Sequence, residues 1–164
     1  MERMRFGEGL VAALAAEARR RAPRAEVRTG LDPAPAVRVE QPGEPSTATF
    51  VVEAIGADRV LVRIGELASV EVCYGADPRI LERDRDDLPP EDAAVADLVE
   101  WLDAVLDGRV SERIWVSGDA PVRARAVVTW RDGSTTTVFA PADAGVLAAG
   151  DRSLDVDYAA YDQR

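Results

Sequence analysis

Between residues 50 and 72, apolar and polar side chains alternate with a period of two, broken only by two short turn-forming stretches. Phe50, Val52 and Ala54 alternate with Val51 and Glu53, and Val60, Val62 and Ile64 alternate with Leu61 and Arg63. Gly56-Ala57-Asp58 separates the two runs. A parallel crossover needs about a dozen residues or more, so runs this close must pair antiparallel. A three-residue turn sets Phe50 opposite Ile64 and Val52 opposite Val62. A further turn at Gly65–Leu67 sets Val70 opposite Val62 and Val72 opposite Val60. All three strands of the meander 47–74 then show apolar side chains on one face, and a slip of one residue would turn that set outward. Cys73 falls on the other face beside Glu71.

A second meander is expected over 109–140. Val110, Ile114 and Val116 alternate with Arg113 and Trp115. Val122, Ala124, Ala126, Val128 and Trp130 alternate with Arg123, Arg125, Val127 and Thr129. Asp132-Gly133 reads as a two-residue hairpin turn, which would place Phe139 opposite Ala126 and Thr137 opposite Val128. Each meander follows a helix. Over 5–21, Phe6, Leu10, Leu14 and Ala18 recur every four residues beside Val11 and Ala15, Arg19, Arg20 and Arg21 suit the C-terminal dipole, and Pro23 stops the run. Over 90–107, Val95, Leu98, Val99, Leu102, Val105 and Leu106 form an apolar stripe; Pro90 suits the first position and Gly108 the end.

The rest is less regular. Ala25–Thr29 and Ala36–Gln41 are candidate short strands that Pro33, Pro35, Pro42 and Pro45 would confine to edges, within a stretch that otherwise reads as loop. Ala142–Ala149 is a candidate short helix, and the acidic tail 151–164 is open to fraying. The order helix, strands, helix, strands with short turns predicts one α+β domain over 1–164. It would have two antiparallel β-meanders, as one curved sheet or two packed halves, with two main α-helices on one face.

Composition narrows the chemistry. The 164 residues include no histidine and one cysteine; every base is an arginine, and asparagine is absent. Histidine-dependent hydrolases, histidine-ligated metals, an intrachain disulfide and a lysine-bearing phosphate loop are excluded. The arginine-only, alanine-rich usage points to a high-GC bacterial genome. No apolar run approaches the roughly 20 residues that span a bilayer. Gly9–Ala16 is the nearest thing to an export signal, but Glu8 precedes it and three arginines follow, so it reads as mature helix. With a lone cysteine, this makes the cytoplasm the expected compartment.

Several small constellations have plainer readings. Gly7-x-Gly9-x-x-Ala12 matches a dinucleotide fingerprint but lacks the strand that must precede it. Asp155 and Asp157, like Asp84, Asp86 and Asp87, are oxygen donors without calcium-loop spacing, so no metal and no cofactor is expected. Arg113, Trp115, Arg123, Arg125 and Arg131 share the outer face of the second meander. The chain's net charge of −10 argues against nucleic acid there, because phosphate contacts supply most of that affinity. Glu53, Arg63, Glu71 and Cys73, with Tyr74 near, form an alternative pocket in which paired carboxylates would serve acid–base catalysis if burial drew their pKa values apart.

The strongest signal is charge. Residues 86–108 hold eight acids and no arginine, a net of −8 in 23 residues, while the other 141 carry 22 acids and 20 bases. Glu100, Asp103 and Asp107 lie together opposite the apolar stripe with Asp97 beside them. Like charges at these spacings weaken a helix by roughly 0.2–0.5 kcal/mol each. Trp101 flanks the stripe, as an exposed anchor or a core residue. The plain reading is a solubilising face. The sharper one is a non-enzymatic partner-binding protein (immunity-, inhibitor- or chaperone-like, by analogy of charge and fold class) that docks a basic protein on Asp97, Glu100, Trp101, Asp103 and Asp107. The rival expectation is a small-molecule-binding or carboxylate-dependent enzymatic domain with a pocket between sheet and helices.

Overall fold

The computed structural model describes residues 6–44, 46–74, 90–140 and 151–162. Helix α1 (Phe6–Arg21) is followed by β1 (Glu26–Gly30), β2 (Ala36–Glu40), β3 (Phe50–Ala54), β4 (Arg59–Ile64) and β5 (Ala68–Cys73). Helix α2 (Pro90–Leu106) then leads into β6 (Val110–Ser117), β7 (Ala120–Thr129), β8 (Thr135–Phe139) and β9 (Arg152–Asp157). The strands form two antiparallel sheets, β1-β2-β3-β4-β5 and β8-β7-β6-β9. The fold is α+β. The candidate helix at Ala142–Ala149 lies outside the described residues.

The first meander has the register its alternation dictates. Phe50 pairs with Ile64 and Val52 with Val62, and Val62 and Val60 pair onward with Val70 and Val72. Phe50, Val52, Val60, Val62 and Ile64 are fully buried. Helix α1 covers this face with Leu10, Leu14 and Ala18, and the contact is close enough that a side chain on Gly7 would strike Ala54 and Pro35. Prolines do not confine β2 to an edge: it lies between β1 and β3. Pro33, Pro35 and Pro42 all fall outside the strand, so no ladder donor is lost, and the Pro35 carbonyl accepts from Ala54 N–H at 2.8 Å.

Helix α2 ends in a Schellman arrangement at Gly108, with Arg109 N–H donating to Ala104 and Gly108 N–H to Val105. Its C-terminal half is enclosed: Trp101, Leu102, Ala104, Val105 and Leu106 are buried, whereas Val95 and Val99 are only half-buried. The helix packs on α1 and β7, and its side chains share one continuous core with both sheets.

The β7–β8 register departs from expectation. Ala126 pairs with Val138 and Val128 with Thr136. The loop is one residue longer than Asp132-Gly133 alone. Trp130 N–H donates to the Ser134 carbonyl at 2.8 Å and Gly133 N–H to the Trp130 carbonyl at 3.0 Å, enclosing Arg131, Asp132 and Gly133, with Gly133 at φ 84°. This is a type I turn closed by a left-handed residue. The extra residue exchanges the faces: Val138 is buried and Phe139 is 52% exposed.

The C-terminal stretch does not fray within the described residues. β9 pairs with β6, and Tyr158 and Tyr161 are buried in the core. Tyr161 hydroxyl donates to the Ala48 carbonyl at 2.5 Å, and Ala159 N–H to that of Ser46 at 2.7 Å. β9 itself is largely exposed, with Val156 half-buried, and the anchoring comes from the two tyrosines that follow it.

Candidate functional site

Helix α2 presents Asp103 and Asp107 to arginines, while Asp97 faces Tyr74 and Glu100 lines a cleft beside them. Arg21, at the end of α1, pairs with Asp103 and lies 3.6 Å from Asp107. Arg131, from the β7–β8 loop, reaches Asp103 at 2.9 Å, and Arg109 reaches Asp107 at 3.2 Å. Asp97 accepts a 2.7 Å hydrogen bond from the Tyr74 hydroxyl. The run without arginine in sequence is therefore not a face without arginine in space. Guanidiniums at the helix C-terminal half also suit the negative end of its dipole.

Between α2 and the β7–β8 loop lies a half-open cleft of about 320 Å³, lined by Glu100, Asp103, Arg109, Trp130, Arg131 and Asp132. Trp130 forms its wall. The indole N–H donates to Thr136 Oγ1 at 2.8 Å, and the ring meets Trp101 edge to face, with centroids 5.1 Å apart. Trp101 is a core residue, 5% exposed; it supports the cleft wall from behind. Asp103 and Arg21 side chains are each 15% exposed, whereas Arg131 is 70% exposed. The cleft thus has a fixed carboxylate under a solvent-facing guanidinium, with Glu100 and Asp132 on the exposed rim.

The alternative group is arranged differently. Glu53 and Glu71 share the outer face of the first sheet, but both pair in the ladder with Leu61, which stands between them. Two strand spacings put them roughly 10 Å apart. Arg63 lies 3.6 Å from Glu53, and Arg59 2.9 Å from Glu71, all on side chains 30–54% exposed. The register brings Arg59, not Arg63, opposite Cys73, whose thiol lies 3.7 Å from Asp58 Oδ2. Asp155 is held by Arg113 through two hydrogen bonds, of 2.6 and 2.9 Å, which pull its pKa below the usual carboxylate range. Asp84, Asp86 and Asp87 lie outside the described residues.

The chain matches no family model, no curated protein and no solved structure.

One buried polar side chain stands apart. Glu112, 2% exposed, projects inward from β6. It accepts from the backbone N–H groups of Glu66, Leu67 and Ala68 at 3.0–3.2 Å and from the Tyr158 hydroxyl at 2.6 Å. A side chain on Gly65, at φ 74°, would come within 2.4 Å of its carboxylate. Burial and this carboxylate push the Tyr158 pKa strongly upward. The signal was in the sequence: Glu112 falls between Val110 and Ile114 on the inward parity of its strand. Arg21, Trp130 and Asp132 had no such signal, because only tertiary structure brings them to the helix; Arg109 stands two residues after Asp107 in the chain.

Proposed function

We propose that this chain is a non-enzymatic, cytoplasmic bacterial binding protein that docks a basic protein surface on α2 and the β7–β8 loop. The observation that carries the reading is the convergence of Glu100 and Asp103 from the helix with Asp132 from the loop around the half-buried Trp130. Carboxylates on a rigid helix raise association rates with a cationic partner, and an indole face adds cation–π attraction for an arginine or lysine. Arg131 already occupies Asp103 from the solvent side, so an incoming guanidinium has a position to take over. Docking centres on Glu100, Asp103 and Asp132, with Asp107 and Asp97 serving as flanking charge and Trp101 as support. The catalytic alternative needs an enclosed site in which burial draws two carboxylate pKa values apart, and Glu53 and Glu71 stand on a half-exposed sheet face, each beside an arginine.

The test is affinity capture from the native host with the full chain as bait, beside the variant Glu100→Arg/Asp132→Arg. The reading predicts a basic protein retained by the wild type and released by moderate salt, and lost in the variant. Equal retention by both would contradict it.

A further inference from the structure

The outer face of the second sheet, on the side away from α2, carries Arg113, Arg123 and Arg125 beside Asp155 and Asp157 at its β9 edge. In β7, Ala124, Ala126 and Val128 turn into the core, so Arg123 and Arg125 turn out. The ladder sets Arg125 opposite Arg113 on one side and Phe139 on the other, and sets Arg123 opposite Trp115. Like charges directly opposite one another weaken a sheet. Arg113 is neutralised by Asp155. Arg123 stacks on Trp115 at 5.4 Å, and Arg125 has only a longer-range attraction to the already engaged Asp155. Among the described residues neither Arg123 nor Arg125 forms an ion pair. Phe139, 52% exposed, adjoins them. A cleft of about 300 Å³ on the same face is lined by Arg113, Arg125, Val127, Asp155 and Asp157, so the free positive charge lies at its β7 side.

We propose that this face docks an extended, carboxylate-rich protein segment, with Arg123 and Arg125 receiving its acids and Phe139 an apolar side chain. The Arg113–Asp155 pair shows the binding mode, a guanidinium gripping a carboxylate through two parallel hydrogen bonds. The spacing selects the partner. Arg123 and Arg125 are two residues apart on one strand, roughly 7 Å, which is also the repeat between alternate side chains of an extended peptide. Polynucleotide is disfavoured by the overall negative charge, whereas a short acidic segment contacts only the local positive field.

The probe is a synthetic peptide with glutamate at every second position and one central phenylalanine. The control has the same composition with its glutamates contiguous. Isothermal titration at low salt should show binding of the alternating peptide, tighter than the control and weakened by added salt. Arg123→Glu/Arg125→Glu should reduce affinity about tenfold or more with the protein still folded by circular dichroism, and Phe139→Ser should reduce it by a smaller factor. The proposal is overturned if the alternating peptide does not bind, if the double reversal binds it as well as the wild type, or if a single-stranded DNA oligonucleotide binds more tightly than the peptide.

Discussion

Glu112 and Asp103 are both carboxylates withdrawn from bulk water, and the fold satisfies them in opposite ways. Glu112 is met by three backbone N–H groups of the β4–β5 turn and by one tyrosine hydroxyl, with no guanidinium beside it among the described residues. Asp103 is met by two arginines from distant elements, one as enclosed as itself and one largely in solvent. Backbone donors fixed in a turn cannot leave without unfolding it, so Glu112 joins the two sheets permanently. The exposed guanidinium of Arg131 can be exchanged for one from another molecule. Structural permanence and capacity for recognition are thus separated onto two carboxylates nine residues apart in the chain.

That contrast can be broken at either end. The largest effect belongs to Glu112→Ala, which strands several buried donors at about 1–3 kcal/mol each; a loss of about 3–5 kcal/mol in urea unfolding is expected. A loss under about 1 kcal/mol would mean the turn does not depend on it. Gly65→Ala attacks the same contact sterically and at a positive φ, and should cost about 2 kcal/mol in the same measurement.

Alkaline pH probes the tyrosine partner. Folding raises the Tyr158 pKa above its ordinary value of about 10, so its contribution is complete below that pH and is lost as pH rises beyond it. Tyr158→Phe should therefore flatten the alkaline decline in melting temperature, leaving the part due to Tyr161, whose pKa burial also raises. On the Asp103 side the effects are smaller. Arg21→Ala should cost about 1–2 kcal/mol, because the pair is partly buried. Arg131→Ala, 70% exposed, should cost about 0.5 kcal/mol or less. If Arg131→Ala proved as costly as Arg21→Ala, the outer guanidinium would be structural and not exchangeable.

How much of this was legible in the sequence depended on whether the deciding interaction was local. The first meander was, because strict alternation and two short turns leave one register that buries Phe50, Val52, Val60, Val62 and Ile64 together. The β7–β8 hairpin was not, because Asp132-Gly133 is compatible with a two- or a three-residue loop. The difference is one hydrogen bond from Trp130, yet it exchanges Val138 for Phe139 at the core. Tail residues 151–162 looked too acidic to dock, although Val156, Tyr158 and Tyr161 carry the packing. The acidic helix was legible as a charge and as a helix. Its electrostatic surroundings were not, since Arg21 and Arg131 meet it only after folding.

The same point dictates the decisive experiment. Reversing Glu100, Asp103 and Asp107 together would confound binding with stability, since Asp103 and Asp107 are held by Arg21, Arg109 and Arg131. Glu100→Arg/Asp132→Arg leaves those ion pairs in place, and its melting temperature is measured alongside, because Asp132 also accepts hydrogen bonds from Ser134 N–H and Oγ in the turn. The most direct measurement is the association rate of wild type and this variant with the basic protein captured from the host, followed across ionic strength. Steering by the helix–loop face predicts an association roughly tenfold or more slower for the variant at low salt, and a much shallower salt dependence. Identical rates with identical salt slopes would contradict the claim and leave the acidic face a solubilising one.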